Sequence, residues 1–194
     1  NSSSLPLIQW RLAQLAAHLV VALVALVVVG GATRVMEAGL ACPDWPLCFG
    51  TFLPGRQMNV RVFLEWFHRL DAFLVGIALI IQLGLAVIWR AQLPRWLPWA
   101  YSSLVLALAL QGGLGALTVL DLLPSGVVTA HLALALILVA VMSGLTQRLL
   151  SPNGFASPLW WRALAGVSLM AVFGQSLLGA HMATTWSAQR CLNQ

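Results

Sequence analysis

Long apolar runs dominate the chain, and the segments between them hold most of its charged side chains. Five runs are long enough to cross a bilayer, for which an α-helix needs about 20 apolar residues. They lie at about 12–33, 63–89, 99–120, 126–147 and 160–183. Apolar positions are continuous rather than alternating, so helices are expected rather than barrel strands, and a helix in lipid satisfies its own backbone. The pattern predicts an all-α, polytopic membrane protein.

The connections between the runs differ in length. The first, 34–60, is long, whereas the next two are short and therefore force neighbouring helices to pack side by side. We expect an antiparallel four-helix bundle within 1–150, with the long connection as an outer loop. A Ser-, Pro- and Gly-containing segment, 148–158, is the only candidate boundary, and it leads into a linker and fifth transmembrane helix within 151–194.

Glycines recur near one end of three predicted helices, in VGGA of helix 1, QGGLGA of helix 3 and QSLLGA of helix 5. Small residues at such spacing let helix backbones approach closely. Two interpretations follow. The glycines serve general packing, or helix 5 begins a second copy of the bundle.

Composition agrees with this class, because 60% of the 194 residues are hydrophobic and 8% are charged, against about 25% charged in soluble domains. Arginines without acidic neighbours occupy the segment before helix 1 and the connections 2–3 and 4–5, while all five carboxylates fall on the other side. The positive-inside rule then places the N-terminus in the cytoplasm and the 34–60 loop on the outer or lumenal side. A bacterial-type inner (plasma) or thylakoid membrane is expected. The excess of arginines over carboxylates is explained by the orientation of the chain in the membrane and does not indicate nucleic-acid binding.

Two cysteines, Cys42 and Cys48, lie in this outer loop within ACPDWPLCFG. An exported compartment is oxidising enough for a disulfide, and closing so small a loop would stabilise the protein modestly. Two free thiols are the alternative, and zinc is less favoured because no second ligand pair stands nearby. Cys191 is also expected on the outer side, without a partner in the chain.

Two histidines occupy matching depths, His68 near the start of helix 2 and His131 near the start of helix 4. At 1.5 Å per residue, both lie on the order of 7 Å below the outer helix ends. Imidazoles within a membrane span are costly and usually functional, and two at one depth can ligate a haem iron from both faces of the ring. Interfacial hydrogen bonding is the alternative. A packing or hydrogen-bonding role is expected for His18, and His181 has no matched partner.

Charged residues flank the histidine pair. Glu65 stands three residues before His68 on the same helix face. It either forms an i,i+4 ion pair with Arg69 or acts beside a bound haem, relaying protons or stabilising a developing cation. Arg34 and Arg56 are candidate partners for haem propionates, with simple solvation as the alternative.

Three segments taken together resemble the haem A synthase family. They are GGATRVMEAGLACPDWPLCFG, EWFHRLDA and QGGLGALTV, the last followed by the helix-4 histidine. The resemblance covers helices 1–4 and extends into helix 5. It implies a membrane oxidoreductase that converts the C8 methyl of haem O to a formyl, giving haem A for terminal oxidases. Family members have eight helices in two four-helix halves, each with a histidine pair.

The resemblance also implies roles for single residues. His68 and His131 would bind the haem iron of this half, with haem O as substrate or haem B, and Glu65 would be the catalytic acidic residue. Cys42 and Cys48 would be the loop cysteine pair. A second b-type haem is expected only with the second half, which helix 5 would begin. Implied partners are membrane lipid, a haem O-supplying enzyme, an electron donor or acceptor, and a second copy or larger membrane complex.

A second class of function is the alternative to this enzyme. A non-catalytic haem- or pigment-binding assembly subunit of a larger membrane complex would carry the same helices and histidines without converting the ligand. A transporter is disfavoured, because no helix is visibly interrupted at the membrane midplane.

Overall fold

A computed structural model describes residues 6–151, 154 and 157–185, and five long helices make up most of them. The helices are α1 (Leu7–Val35), α2 (Val60–Ile88), α3 (Leu97–Leu120), α4 (Ser125–Leu150) and α5 (Leu159–Thr185). All five are long and apolar enough to cross a membrane. The described residues contain no β-strand beyond one isolated bridge between Cys48 and Thr51. The predicted all-α, polytopic fold is therefore confirmed, whereas Cys191 lies outside the described residues.

Local chemistry sets the helix starts more than apolarity does, so the helices extend beyond the predicted runs. The Asn59 side chain accepts hydrogen bonds from the backbone N–H groups of Arg61 and Val62, which caps α2 and starts it at Val60. Pro6 precedes the first turn of α1, where a proline costs no intrahelical hydrogen bond. Both helices thus begin among polar residues at the membrane boundary, which hydropathy alone does not mark.

Helices α1–α4 form a closed ring. α1 packs against α2 and α4, and α3 packs against the same two helices, so α2 and α4 face each other across the ring. α5 packs against the outside of α4. The predicted four-helix bundle with a fifth helix is present, and the division into 1–150 and 151–194 stays a prediction.

We call the end of the bundle that carries the loop between α1 and α2 its outer end and the opposite end its inner end, names that imply no membrane orientation. The tightly packed apolar core occupies the inner half of the bundle, toward the α2–α3 connection. Its buried members are Leu12, Ala13, Ala16, Leu19, Leu23, Val75, Leu79, Ala86, Leu93, Leu97, Tyr101, Leu104, Leu138, Met142, Leu145 and Leu149. All of these except Leu23, which lies just past the middle of α1, are in that half, whereas His68 and His131 are in the other half. The buried residues of this apolar core therefore do not extend to the depth of the histidines.

Candidate functional site

His68 and His131 lie near each other in the outer half of the four-helix bundle. His68 lies in the third turn of α2 and His131 in the second turn of α4, and both side chains are partly buried. Their rings are close enough for their charges to interact. Two helices on opposite sides of the four-helix bundle thus present one imidazole each, at the matching depth that the sequence predicts.

Each imidazole packs on a glycine of the preceding helix. A Cβ atom built on Gly30 of α1 would lie 3.0 Å from Cε1 of His68. A Cβ atom built on Gly115 of α3 would lie 3.3 Å from Cε1 of His131. Both distances are shorter than ordinary carbon–carbon contacts of about 3.5–4.0 Å, so each ring occupies space that a side chain at the glycine would need.

One nitrogen of each ring is left without a hydrogen bond. Nδ1 of His68 and Nδ1 of His131 are buried and make no hydrogen bond of ordinary length and angle among the described residues, although buried polar atoms are normally paired. The backbone of Leu26 lies beside the His68 ring, and that of Gln111 lies beside the His131 ring. A metal-bound histidine typically donates its second ring N–H to such a carbonyl. The surroundings of both rings therefore fit metal ligation.

The number of ligands distinguishes a haem from a bare ion. Among the described residues, no group of three or more His, Cys, Asp and Glu side chains could hold a metal ion. A structural zinc site needs four protein ligands, and a catalytic one needs three. A haem iron already has four porphyrin nitrogens and needs one or two axial ligands from protein. Two imidazoles on facing helices therefore fit a haem and do not fit a structural or catalytic zinc site.

An ion pair between Glu65 and Arg69, next to His68 on α2, anchors the outer loop between α1 and α2. Glu65 is 5% exposed, and its Oε1 pairs with Nη2 of Arg69 while its Oε2 accepts a hydrogen bond of 2.8 Å from the backbone N–H of Cys42. Arg69 also donates to the backbone carbonyls of Cys42, Asp44 and Leu47. The ion-pair interpretation of Glu65 is observed, and its catalytic role stays a prediction. The role of Arg69 in holding the loop was not predicted.

Cys42 and Cys48 form a disulfide within this loop, as predicted, and the free-thiol alternative is wrong. Both cysteines are buried and pack against Val62 of α2. The Asp44 carboxylate accepts hydrogen bonds from the backbone N–H groups of Phe49 and Gly50, at 2.6 and 2.8 Å. The loop is therefore a closed, internally bonded structure at the outer end of α2.

Removing the disulfide is expected to destabilise the loop measurably. Loop-closure entropy for so short a segment corresponds to about 2 kcal/mol, so a Cys42→Ala, Cys48→Ala double variant should unfold at a lower temperature. Thermal unfolding in detergent, with and without reductant, measures this effect. Reductant should lower the transition of the wild-type protein and leave that of the double variant unchanged. Equal sensitivity of both proteins would contradict the prediction.

The two candidate propionate partners differ in their surroundings. Arg34 donates to the carbonyl of Ala183, in the last turn of α5, where a positive charge is favourable. Arg56 is exposed in the one-turn helix Gly55–Gln57. Their binding to propionates stays a prediction. Nδ1 of His18 contacts the carbonyl of Gln14 one turn earlier, at 2.7 Å, which agrees with the hydrogen-bonding role expected for it.

The ends of α1 and α3 share one local structure. The Thr33 hydroxyl donates to the Gly30 carbonyl at 2.7 Å, and the Thr118 hydroxyl donates to the Gly115 carbonyl at 2.6 Å. Five residues after each threonine, a backbone N–H bonds to the carbonyl of that threonine, at 2.7 and 2.8 Å. The signal in the sequence is Gly-x-x-Thr, once in GGAT and once in GALT. It marks two equivalent glycines that general packing arguments did not single out.

Known proteins resemble the chain over most of its length. The heme A synthase of Shewanella oneidensis is 28% identical over 186 residues, which cover 85% of this chain and 54% of that protein. The heme A synthase of Bradyrhizobium diazoefficiens is 31% identical over 198 residues, covering 84% and 55%. That of Caulobacter sp. (strain K31) is 32% identical over 194 residues, covering 82% and 56%. The chain spans about half the length of these relatives, and no solved structure matches it.

The family assignment follows from a match that includes all four helices of the bundle. The model of the COX15-CtaA family, described as cytochrome oxidase assembly protein, matches residues 13–193. Both histidines, both packing glycines and the disulfide loop lie within that range. The chain therefore belongs to the COX15-CtaA family.

Proposed function

We propose that the chain is the haem O-binding half of a haem A synthase. The reaction is oxidation of the C8 methyl of haem O to a formyl, which gives haem A for terminal oxidases. One observation carries the proposal, namely that α2 and α4, which face each other across the bundle, each present one partly buried imidazole whose Nδ1 is buried beside the backbone of a neighbouring helix. Similarity to proteins named heme A synthase supports the reaction, and the two-ligand geometry supports the cofactor class.

In this proposal, His68 and His131 would hold the haem iron, with haem O as substrate or haem B in its place. Bound haem supplies a redox-active iron. The bundle binds and orients the ring, because the packed core in the inner half closes the space below it. A second b-type haem belongs to a second half of the family architecture, which 151–194 would begin.

Glu65 is proposed as the acidic residue of the reaction. It lies about one helical turn on the outer side of His68, and burial keeps it away from water. A fixed negative charge at that place stabilises positive charge that develops on a nearby carbon during oxidation. Its ion pair with Arg69 holds the carboxylate in one position. Arg34 and Arg56, near the same outer end, are proposed to bind the propionates.

The orientation proposed for the membrane follows from charge. Five arginines without acidic neighbours lie on the side of the N-terminus, namely Arg11, Arg90, Arg95, Arg148 and Arg162. That side is cytoplasmic by the positive-inside rule, so the disulfide loop faces the outer or lumenal side of a bacterial-type inner or thylakoid membrane. A haem O-supplying enzyme, an electron donor or acceptor, and a second copy or larger membrane complex are the proposed partners.

Haem extraction tests the function. Expressed in a host that makes haem O and lacks haem A synthase, the chain is expected to purify with haem O, and to yield haem A when the second half of the family architecture is present with it. Chromatography and mass spectrometry of the extracted pigment identify each haem, and membranes from the host without the protein serve as the control. Chlorophyll alone, or haem B alone although the host makes haem O, would contradict the proposed reaction and favour the non-catalytic assembly subunit.

A further inference from the structure

We propose that Gly30 and Gly115 are positioning residues for the two axial ligands. Each glycine leaves the space in which the histidine ring of the next helix lies, and so fixes where that ring points. This inference rests on the haem ligation proposed above. It assigns a specific role to two glycines on helices that carry neither ligand.

The contacts define which atoms must move if a side chain is added. At Gly30, a Cβ atom would meet three atoms of the His68 ring, Cε1 at 3.0 Å, Nε2 at 3.5 Å and Nδ1 at 3.7 Å. At Gly115, it would meet Cε1 of His131 at 3.3 Å and Nδ1 at 3.9 Å. The neighbour is a rotatable ring and not backbone in both cases. Alanine at either glycine therefore displaces the imidazole by a few tenths of an ångström and leaves the helices in place.

Duplication supports a specific role for these two glycines. The Gly-x-x-Thr segments of α1 and α3 share the glycine and the threonine, whereas Ala116 stands where the first segment has Gly31. Gly31 is exposed, and a Cβ atom there would meet nothing within 4 Å among the described residues. The position after the contact glycine is therefore occupied by either glycine or alanine, whereas the position that contacts the imidazole is glycine in both segments.

The position of each imidazole matters because its coordinating nitrogen would have to point at the iron for a bond to form. Changes in groups that orient a metal ligand typically lower metal affinity by 10- to 100-fold. The contact at Gly30 is the tighter one, so the His68 ring should respond more strongly than the His131 ring. Alanine at Gly30 should therefore lower haem affinity more than alanine at Gly115.

The test compares Gly30→Ala and Gly115→Ala with two matched controls, Gly31→Ala and Gly113→Ala, which add the same methyl group at open positions of the same helices. Haem titration of the haem-free protein measures affinity, and electron paramagnetic resonance of the loaded protein reports the axial ligand geometry. Gly30→Ala is expected to weaken haem binding about 10-fold or more and to change the low-spin signal. Gly115→Ala should do the same to a smaller extent, and the controls should match the wild type.

Thermal unfolding of the haem-free variants separates positioning from packing. Gly30→Ala and Gly31→Ala are expected to unfold at similar temperatures, because the ring and not the backbone yields. Equal haem affinity and equal spectra of these two variants would overturn the inference. A lower unfolding temperature of Gly30→Ala with an unchanged spectrum would also overturn it, in favour of a packing role. If His68→Ala keeps the wild-type haem affinity and spectrum, the proposed function itself fails, which is a distinct result.

Discussion

Substitution of His68 or His131 by alanine is expected to abolish stable haem binding. Each ring supplies one of the two axial ligands in the proposed site, and loss of a ligand should cost at least as much as loss of an orienting group, about 100-fold in affinity. The surviving imidazole would keep one bond to the iron and give a changed, partly high-spin spectrum. Haem content per protein and reduced-minus-oxidised spectra of the purified variants measure both effects.

His18→Ala is the matched control, because His18 also lies within a membrane-spanning helix. It is exposed on α1 and contacts a carbonyl of its own helix. Its variant should retain the wild-type haem content. A wild-type spectrum in either His68→Ala or His131→Ala would exclude ligation by that residue and remove the main support for the proposed function.

Substitution of Arg69 by methionine is expected to release the disulfide loop from α2. The change leaves the buried Glu65 carboxylate without its ion pair and deprives three backbone carbonyls of a donor. Breaking a buried pair from one side typically costs about 3–5 kcal/mol. Thermal unfolding in detergent should therefore show a clear loss of stability, together with faster proteolysis of the outer loop.

Arg61→Met, an exposed position on the same helix, controls for loss of one positive charge and should change stability little. A double-mutant cycle sharpens the result. Glu65→Gln together with Arg69→Met is expected to cost less than the sum of the two single changes, since no buried charge is then left unpaired. Additive costs, or an Arg69 effect no larger than that of Arg61, would show that the ion pair does not hold the loop.

Sequence alone predicted the features that depend on local pattern. Hydropathy located five helices, and counting residues from the helix starts placed His68 and His131 at one depth, because a helix has a fixed rise per residue. The short spacing of Cys42 and Cys48 suggested their disulfide. Each of these properties follows from residues close together in the chain.

Contacts between distant segments were not accessible in the same way. The Glu65–Arg69 spacing was recognised, but the path of the outer loop, and hence the carbonyls that Arg69 holds, depends on tertiary packing. Arg34 was assigned to propionates, while its hydrogen bond to Ala183 of α5 joins residues 149 positions apart. Likewise, periodicity shows that Gly30 lies on a helix face but does not show which ring packs against it.

The likeness of the two helical hairpins, α1–α2 and α3–α4, has a consequence for selectivity in the proposed reaction. A flat ring held between equivalent ligands has similar surroundings whichever of its faces is turned toward α2. Oxidation of a single methyl group therefore requires an element that distinguishes the two hairpins. Their outer connections differ most, since residues 36–59 form the disulfide loop and residues 121–124 form a tight turn. In the proposed reaction, regioselectivity would then depend on features found on one hairpin only, such as this connecting loop and Glu65, rather than on the iron ligands.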